Sequence, residues 1–108
     1  MNLHRTLLRR AEEKRPIRVG LIGAGKFGTM FLAQARLTPG IHILGVADLN
    51  VGRARDAFQR AGWPVEQVAA ASLAAALKSG GTHITDDAMA LIAADGLDVV
   101  VEATGVPQ

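Results

Sequence analysis

Cysteine and tyrosine are both absent from these 108 residues. The first absence excludes disulfides, thiolate nucleophiles and cysteine-based metal sites, and it fits a reducing compartment. The second, together with a single Trp63 and only three Phe, means that the core must be built from Ala, Val, Ile and Leu, as in a layered α/β domain. His4, His42 and His83 stand far apart and show no ligand spacing, so each reads as a surface or strand histidine and no metal site is expected. No segment approaches the length of apolar chain that a membrane span needs. The first residues are too poor in apolar side chains for a secretory signal, and Glu12-Glu13 count against an acid-poor transit peptide. A cytoplasmic protein is expected, without membrane partners.

Charge excludes a further class. The formal net charge is +2, but residues 1–15 alone carry Arg5, Arg9, Arg10, Lys14 and Arg15 against Glu12 and Glu13, a net +3. The remainder therefore sums to −1, and the basicity belongs to a tail rather than to a face that nucleic acid would require. Apolar residues make up 49% of the chain, which argues for a globular fold. At this length a single small domain is expected.

What is present begins with Arg18-Val19-Gly20-Leu21-Ile22-Gly23-Ala24-Gly25-Lys26-Phe27-Gly28. The run Ile17 to Ile22 suits a parallel strand covered on both faces. Gly23, Gly25 and Gly28 then fall in the G-x-G-x-x-G spacing: a tight turn, a place where a pyrophosphate can approach the backbone, and close packing of the next helix. The first amides of that helix, around Lys26 and Phe27, have no intrahelical acceptor and are available to a phosphate. Asp48 follows twenty residues after Gly28, at the end of a second apolar strand. Strand, glycine turn, helix and acid in this order point to dinucleotide binding.

The rest of the chain reads in the same terms. Residues 3–14 form a short amphipathic helix with Leu3, Leu7, Leu8 and Ala11 on one side. After the first strand come a helix over 26–37, with Phe27, Met30, Phe31, Leu32 and Ala35 on the sheet, and a strand over 41–48. Asn50 caps a helix with Val51, Ala54, Phe58 and Ala61 at helical spacing, ended by Gly62. An alanine-rich helix over 65–78, with Val68, Ser72, Leu73, Ala76 and Leu77 in one stripe, reads as a peripheral insertion stopped by Gly80-Gly81. Residues 82–84 form a short strand, and Thr85 caps a helix carrying Asp86 and Asp87 in its first turn and Ala88, Leu91 and Ile92 toward the sheet. A fourth strand runs over 98–104. The expected fold is α/β, an incomplete Rossmann-type doubly wound parallel sheet in the order 3-2-1-4, over residues 16–108, behind an N-terminal helical extension at 1–15. The chain reads as the front of a longer protein whose catalytic domain lies downstream.

The candidate cofactor-binding residues are Gly23, Ala24, Gly25, Lys26, Phe27, Gly28, Asp48, Leu49, Arg53, Ala103, Thr104 and Gly105. A carboxylate at Asp48 can accept from both ribose hydroxyls and repel a 2′-phosphate, which favours NAD. Arg53 and Arg55 sit near enough in sequence to neutralise such a phosphate, or else form a solvated helix face. Glu102-Ala103-Thr104-Gly105 ends the fourth strand beside the first, at the edge where open α/β sheets bind ligands. Glu102 receives no catalytic role.

Val19 to Gly28, Gly45-Val46-Ala47-Asp48-Leu49, Ile84-Thr85-Asp86-Asp87, Glu102-Ala103-Thr104-Gly105 and the basic lead-in together resemble the cofactor domain of homoserine-dehydrogenase-like oxidoreductases. Among them the chain is most similar to the deoxyxylulose-phosphate-reductoisomerase-like proteins that carry a SAF-type domain. The resemblance implies an NAD(P)-dependent enzyme, usually NADPH-dependent and homo-oligomeric at full length, with its small hydroxy or carbonyl substrate held by the downstream domain. No catalytic residue of that family has a counterpart here. Two other readings stay open: a non-catalytic dinucleotide sensor, and a methyltransferase with S-adenosylmethionine over the same turn.

Overall fold

The computed structural model describes residues 3–13 and 15–103, without the side chains of His4 and Ala11. Residues 104–108, Thr104 and Gly105 among them, lie outside the described residues. Helix α1 (Leu3–Glu12) leads into strand β1 (Ile17–Ile22), helix α2 (Lys26–Arg36), strand β2 (Ile41–Ala47) and helix α3 (Val51–Arg60). After a 3₁₀ turn at Val65–Val68 come helix α4 (Leu73–Ser79), strand β3 (His83–Thr85), helix α5 (Ala88–Ile92) and strand β4 (Val99–Glu102). All pairings are parallel and the sheet order is β3-β2-β1-β4, the arrangement of an incomplete Rossmann-like α/β fold. No helix among the described residues is long and apolar enough to cross a membrane.

Two layers of helix cover the sheet. On one face Val19, Leu21, Ile43, Val46 and Ile84 pack with Leu32 and Ala35 of α2 and with Ala54, Ala57 and Phe58 of α3. Trp63 closes this layer: its ring meets Phe58 edge to face with centroids 5.8 Å apart, and its indole N–H donates to the Leu32 carbonyl at 2.9 Å. On the other face, Leu91 of α5 and Leu73 of α4 lie directly over Gly20 and Gly45, where the missing side chains leave room for them. The β1–β2 register shifts by one between Val19 and Gly20, so Leu44 is the extra residue of a bulge.

Several sequence-based expectations require correction. The helix expected over 65–78 is two pieces. Thr82 N–H reaches back to the Gln67 carbonyl at 2.7 Å and His83 Nδ1–H to the Ala70 carbonyl at 2.9 Å, so tertiary bonds hold residues 69–71 out of a helix despite their alanine content. Ser72 is not on an apolar stripe but is the N-cap of α4, accepting from Ala75 N–H. Nor is α4 peripheral, since it packs on β2 and β3 and Ala76 is fully buried. The cap of α5 is Asp87 rather than Thr85, whose hydroxyl accepts from Asp87 N–H instead. Phe27 and Met30 turn outward at 54% and 59% exposure, and Ile92 is exposed as well. The third strand starts one residue later than expected, at His83, and the fourth is shorter, with Val99 and Val100 exposed.

Phe58 is the largest fully buried side chain, and Phe58→Ala is expected to cost about 3–5 kcal/mol of unfolding free energy. Urea denaturation at unchanged m-value would measure it. A loss below about 1 kcal/mol would mean that the Phe58–Trp63 contact is not part of the cooperative core.

Candidate functional site

The carboxyl ends of β1 and β2 meet at one carboxylate. Gly23 N–H donates to the Ala47 carbonyl at 2.8 Å, so the glycine turn begins as a continuation of the β1–β2 ladder. One residue later Ala24 N–H donates to Asp48 Oδ2 at 2.8 Å. Asp48 Oδ1 accepts from Asn50 N–H at 2.8 Å, and Arg53 approaches with both Nε (3.1 Å) and an Nη (2.9 Å) on Oδ2. Asp48 N–H is itself bonded to the Thr85 carbonyl of β3. This carboxylate therefore ties together the glycine turn, the end of β2 and the first turn of α3. Its side chain is 2% exposed.

Burial pushes the Asp48 pKa up, but the Asn50 and Ala24 amides and the Arg53 guanidinium outweigh it and hold the group below its ordinary value. The carboxylate stays ionised at neutral pH and has its lone pairs engaged. Arg53 is the exposed member of the pair, at 56%.

Beside this brace opens a cleft of about 820 Å³. Its walls are the turn at Ala24 and Gly25, the α2 face carrying Lys26, Thr29 and Met30, and the α3 face carrying Arg53, Asp56 and Arg60. Gly25 is the N-cap of α2 and brings no side chain to the helix amides; a Cβ built there meets nothing within 4 Å. Gly28 is the opposite case, since its Cβ would lie 2.6 Å from the Gly23 carbonyl oxygen, so only glycine lets α2 sit this close to the turn. A smaller cavity of about 170 Å³ continues along the sheet edge between Ile22, Ala47, Leu49, Asp86 and Ala88, and Arg53 lines both spaces.

The structure brings Gly23, Ala24, Gly25, Lys26, Asp48, Leu49 and Arg53 to this edge. Phe27 is on the exposed side of α2, and Gly28 serves packing. Ala103 is buried, its N–H on the Ile22 carbonyl at 2.7 Å, next to the turn but outside both cavities. Thr104 and Gly105 lie outside the described residues. Of the two arginines considered for a phosphate, Arg55 faces a separate hollow with Phe58 and Trp63. Sequence reasoning missed Arg60, although the spacing 53, 56, 57, 60 puts it on the helix face of Arg53. Among the described residues no group of His, Asp and Glu is placed to hold a metal ion. Comparison with protein-family models and with curated proteins finds no match.

A carboxylate whose folded pKa is depressed contributes stability that is present above its unfolded pKa and lost as pH falls through the folded value. Asp48→Asn is therefore expected to cost about 1–3 kcal/mol at pH 7, the range for hydrogen bonds to a charged group, discounted because Arg53 is half exposed. The difference from the native chain should narrow as the pH is lowered through and below the carboxylate range. Urea midpoints of both chains between pH 7 and pH 3 would measure it. A constant difference across that range would remove the ion pair from the account.

Proposed function

We propose that this chain is the NAD(P)-binding part of an oxidoreductase that moves hydride between a nicotinamide and a small hydroxy or carbonyl substrate. The observation that carries the reading is the unobstructed space over Gly25, at the start of a helix and at the carboxyl edge of a parallel sheet. A pyrophosphate there would meet the open amides of α2 and the positive end of its dipole. The adenosine end would lie toward Leu49, in the smaller apolar space beside Ala88. The nicotinamide supplies the hydride chemistry; the chain's own work is to bind and orient it.

The pocket supports NADPH over NADH. Asp48, the residue whose sequence position favours NAD, has its carboxylate engaged by two amides and a guanidinium, and it is shielded from a ribose. Lys26 and Arg60 line the cleft against a single acid, Asp56, and Arg53, paired with Asp48, lines it with its half-exposed outer edge. This excess of cations suits a phosphorylated cofactor and is wasted on S-adenosylmethionine, which has no phosphate. The resemblance to reductoisomerase-like enzymes points the same way.

Gly25→Val is expected to abolish dinucleotide binding with little change in helical content, because the new side chain has room in the fold but fills the space over the turn. Calorimetry with NADPH, NADH and S-adenosylmethionine tests this, and near-native affinity in the variant would remove the turn from the site. Arg53→Ala leaves the buried Asp48 carboxylate without its ion-pair partner and so weakens both cofactors, but it is expected to shift the ratio of the two dissociation constants about tenfold or more against NADPH, the loss typical of one charge-assisted phosphate contact. An unchanged ratio of the two dissociation constants would exclude Arg53 from the 2′-phosphate.

A further inference from the structure

The sheet has two edges, and among the described residues only one of them is guarded. At the β3 edge the strand is three residues long, and the segment 67–70 is tied alongside its start. Thr82 N–H donates to the Gln67 carbonyl at 2.7 Å, the Gln67 side-chain amide donates to Thr82 Oγ1 at 3.0 Å, and His83 Nδ1–H donates to the Ala70 carbonyl at 2.9 Å. Helices α3 and α4 pack against the same strand.

Strand β4 forms the other edge and pairs with β1 alone. Its register runs from Val19↔Val99 to Ile22↔Glu102 without a shift, so no bulge turns it away. The stretch from Leu97 to Ala103 contains no Pro, Gly, Lys or Arg, the residues by which native edges are made unreceptive. Asp98 N–H donates to the Arg18 carbonyl at 2.8 Å and so points at β1; the alternation of a strand then turns the backbone groups of Val99 to the open side. Both faces are apolar and uncovered. Val99 shares the face of Val19 and is 45% exposed, while Val100 shares the face of Gly20, where α5 rests on β1 and β2, and is 40% exposed.

Such an edge accepts one class of occupant, an extended strand that completes its backbone hydrogen bonds and covers its valines. Charge selects the strand and its direction. Arg10 lies 3.7 Å from Asp98, at the amino end of β4, and Glu102 stands at the carboxyl end. Asp98 is directed at its own chain, since its carboxylate also accepts from Arg18 N–H at 2.9 Å. Antiparallel pairing of two copies therefore brings Arg10 of each beside Glu102 of the other, whereas parallel pairing sets like charges together.

We propose that β4 is the interface for a second copy of this chain, pairing antiparallel about a two-fold axis near Val100 and joining two four-stranded sheets into one. The contact uses up the open edge of both copies while β3 stays guarded, so assembly ends at the dimer. It does not rest on dinucleotide binding. Its length is about 13 Å of strand, which places it among weak and transient interfaces.

The test is sedimentation of the 108-residue chain from about 10 μM to about 1 mM, the range in which a weak interface shows itself. A reversible equilibrium between monomer and dimer is expected, with no larger species. Val100→Lys, at an exposed position, should weaken dimerisation about tenfold or more with an unchanged circular dichroism spectrum, because it sets two like charges face to face. Leu37→Lys removes an exposed apolar side chain of α2, away from β4, and should leave the equilibrium as it is. The chain has no cysteine, so oxidation of Val100→Cys should trap a disulfide-linked dimer that Leu37→Cys does not form. The proposal is overturned by a monomer across the whole range, by growth beyond the dimer, by Val100→Lys and Leu37→Lys associating alike, or by equal trapping of the two cysteine variants.

Discussion

The site depends on one buried carboxylate. A glycine-rich turn has little of its own to hold it in shape, since glycine loses more chain entropy on ordering than any other residue. Here Asp48 supplies the missing constraint by accepting from the Ala24 amide of the turn and the Asn50 amide that precedes α3. Its negative charge is tolerated in a buried position because Arg53 neutralises it from the solvent side. Three segments that are distant in sequence are thereby locked to one point, and the space over Gly25 keeps its shape.

The sheet works in the same direction. Because every strand is parallel, all four carboxyl ends point to one edge, and the turn from β1 into α2 opens at the middle of the order, where the connections diverge toward β2 on one side and β4 on the other. Helices on both faces make that edge a crevice. Layer thickness is set by side-chain size: Phe58 and Trp63 fill one side, while Leu91 and Leu73 reach the sheet on the other where Gly20 and Gly45 carry no side chain.

Much of this was legible in the sequence because it is governed by local rules. The four strands, the order 3-2-1-4, the cap at Asn50 and the meeting of the glycine turn with Asp48 at one sheet edge follow from periodicity, turn chemistry and the handedness of crossovers, whereas Arg53 reads equally as a solvated helix face. What was not legible was decided by long-range hydrogen bonds or by how many helix faces the sheet could cover. Residues 69–71 have helical propensity, but the carbonyls of Gln67 and Ala70 are claimed by Thr82 and His83. Phe27 and Met30 have the composition of a buried face, but α2 rests on the sheet through Gly28, Leu32 and Ala35, which lie at helical spacing on its other side. The direction of the Asp48 side chain was invisible in the same way, since a sequence position at a strand end does not say which donors will reach it first.

That last point bears on the charge of the molecule as a whole. Several acids are consumed internally by backbone amides: Asp48 by Ala24 and Asn50, Asp87 by Ala90, and Asp98 by Arg18. A carboxylate used in this way stabilises a turn or cap and still carries its charge, but it is directed at the chain and not at a ligand. Arg10 spends donors on the Arg15 and Pro16 carbonyls in the same way, but Lys26, Arg53 and Arg60 stand on the walls of one groove and Arg18 and Lys78 on those of another. A chain of nearly balanced composition thus presents unbalanced surfaces. The net charge of +2 describes the sum, whereas the division of labour between acids and bases decides what each groove attracts.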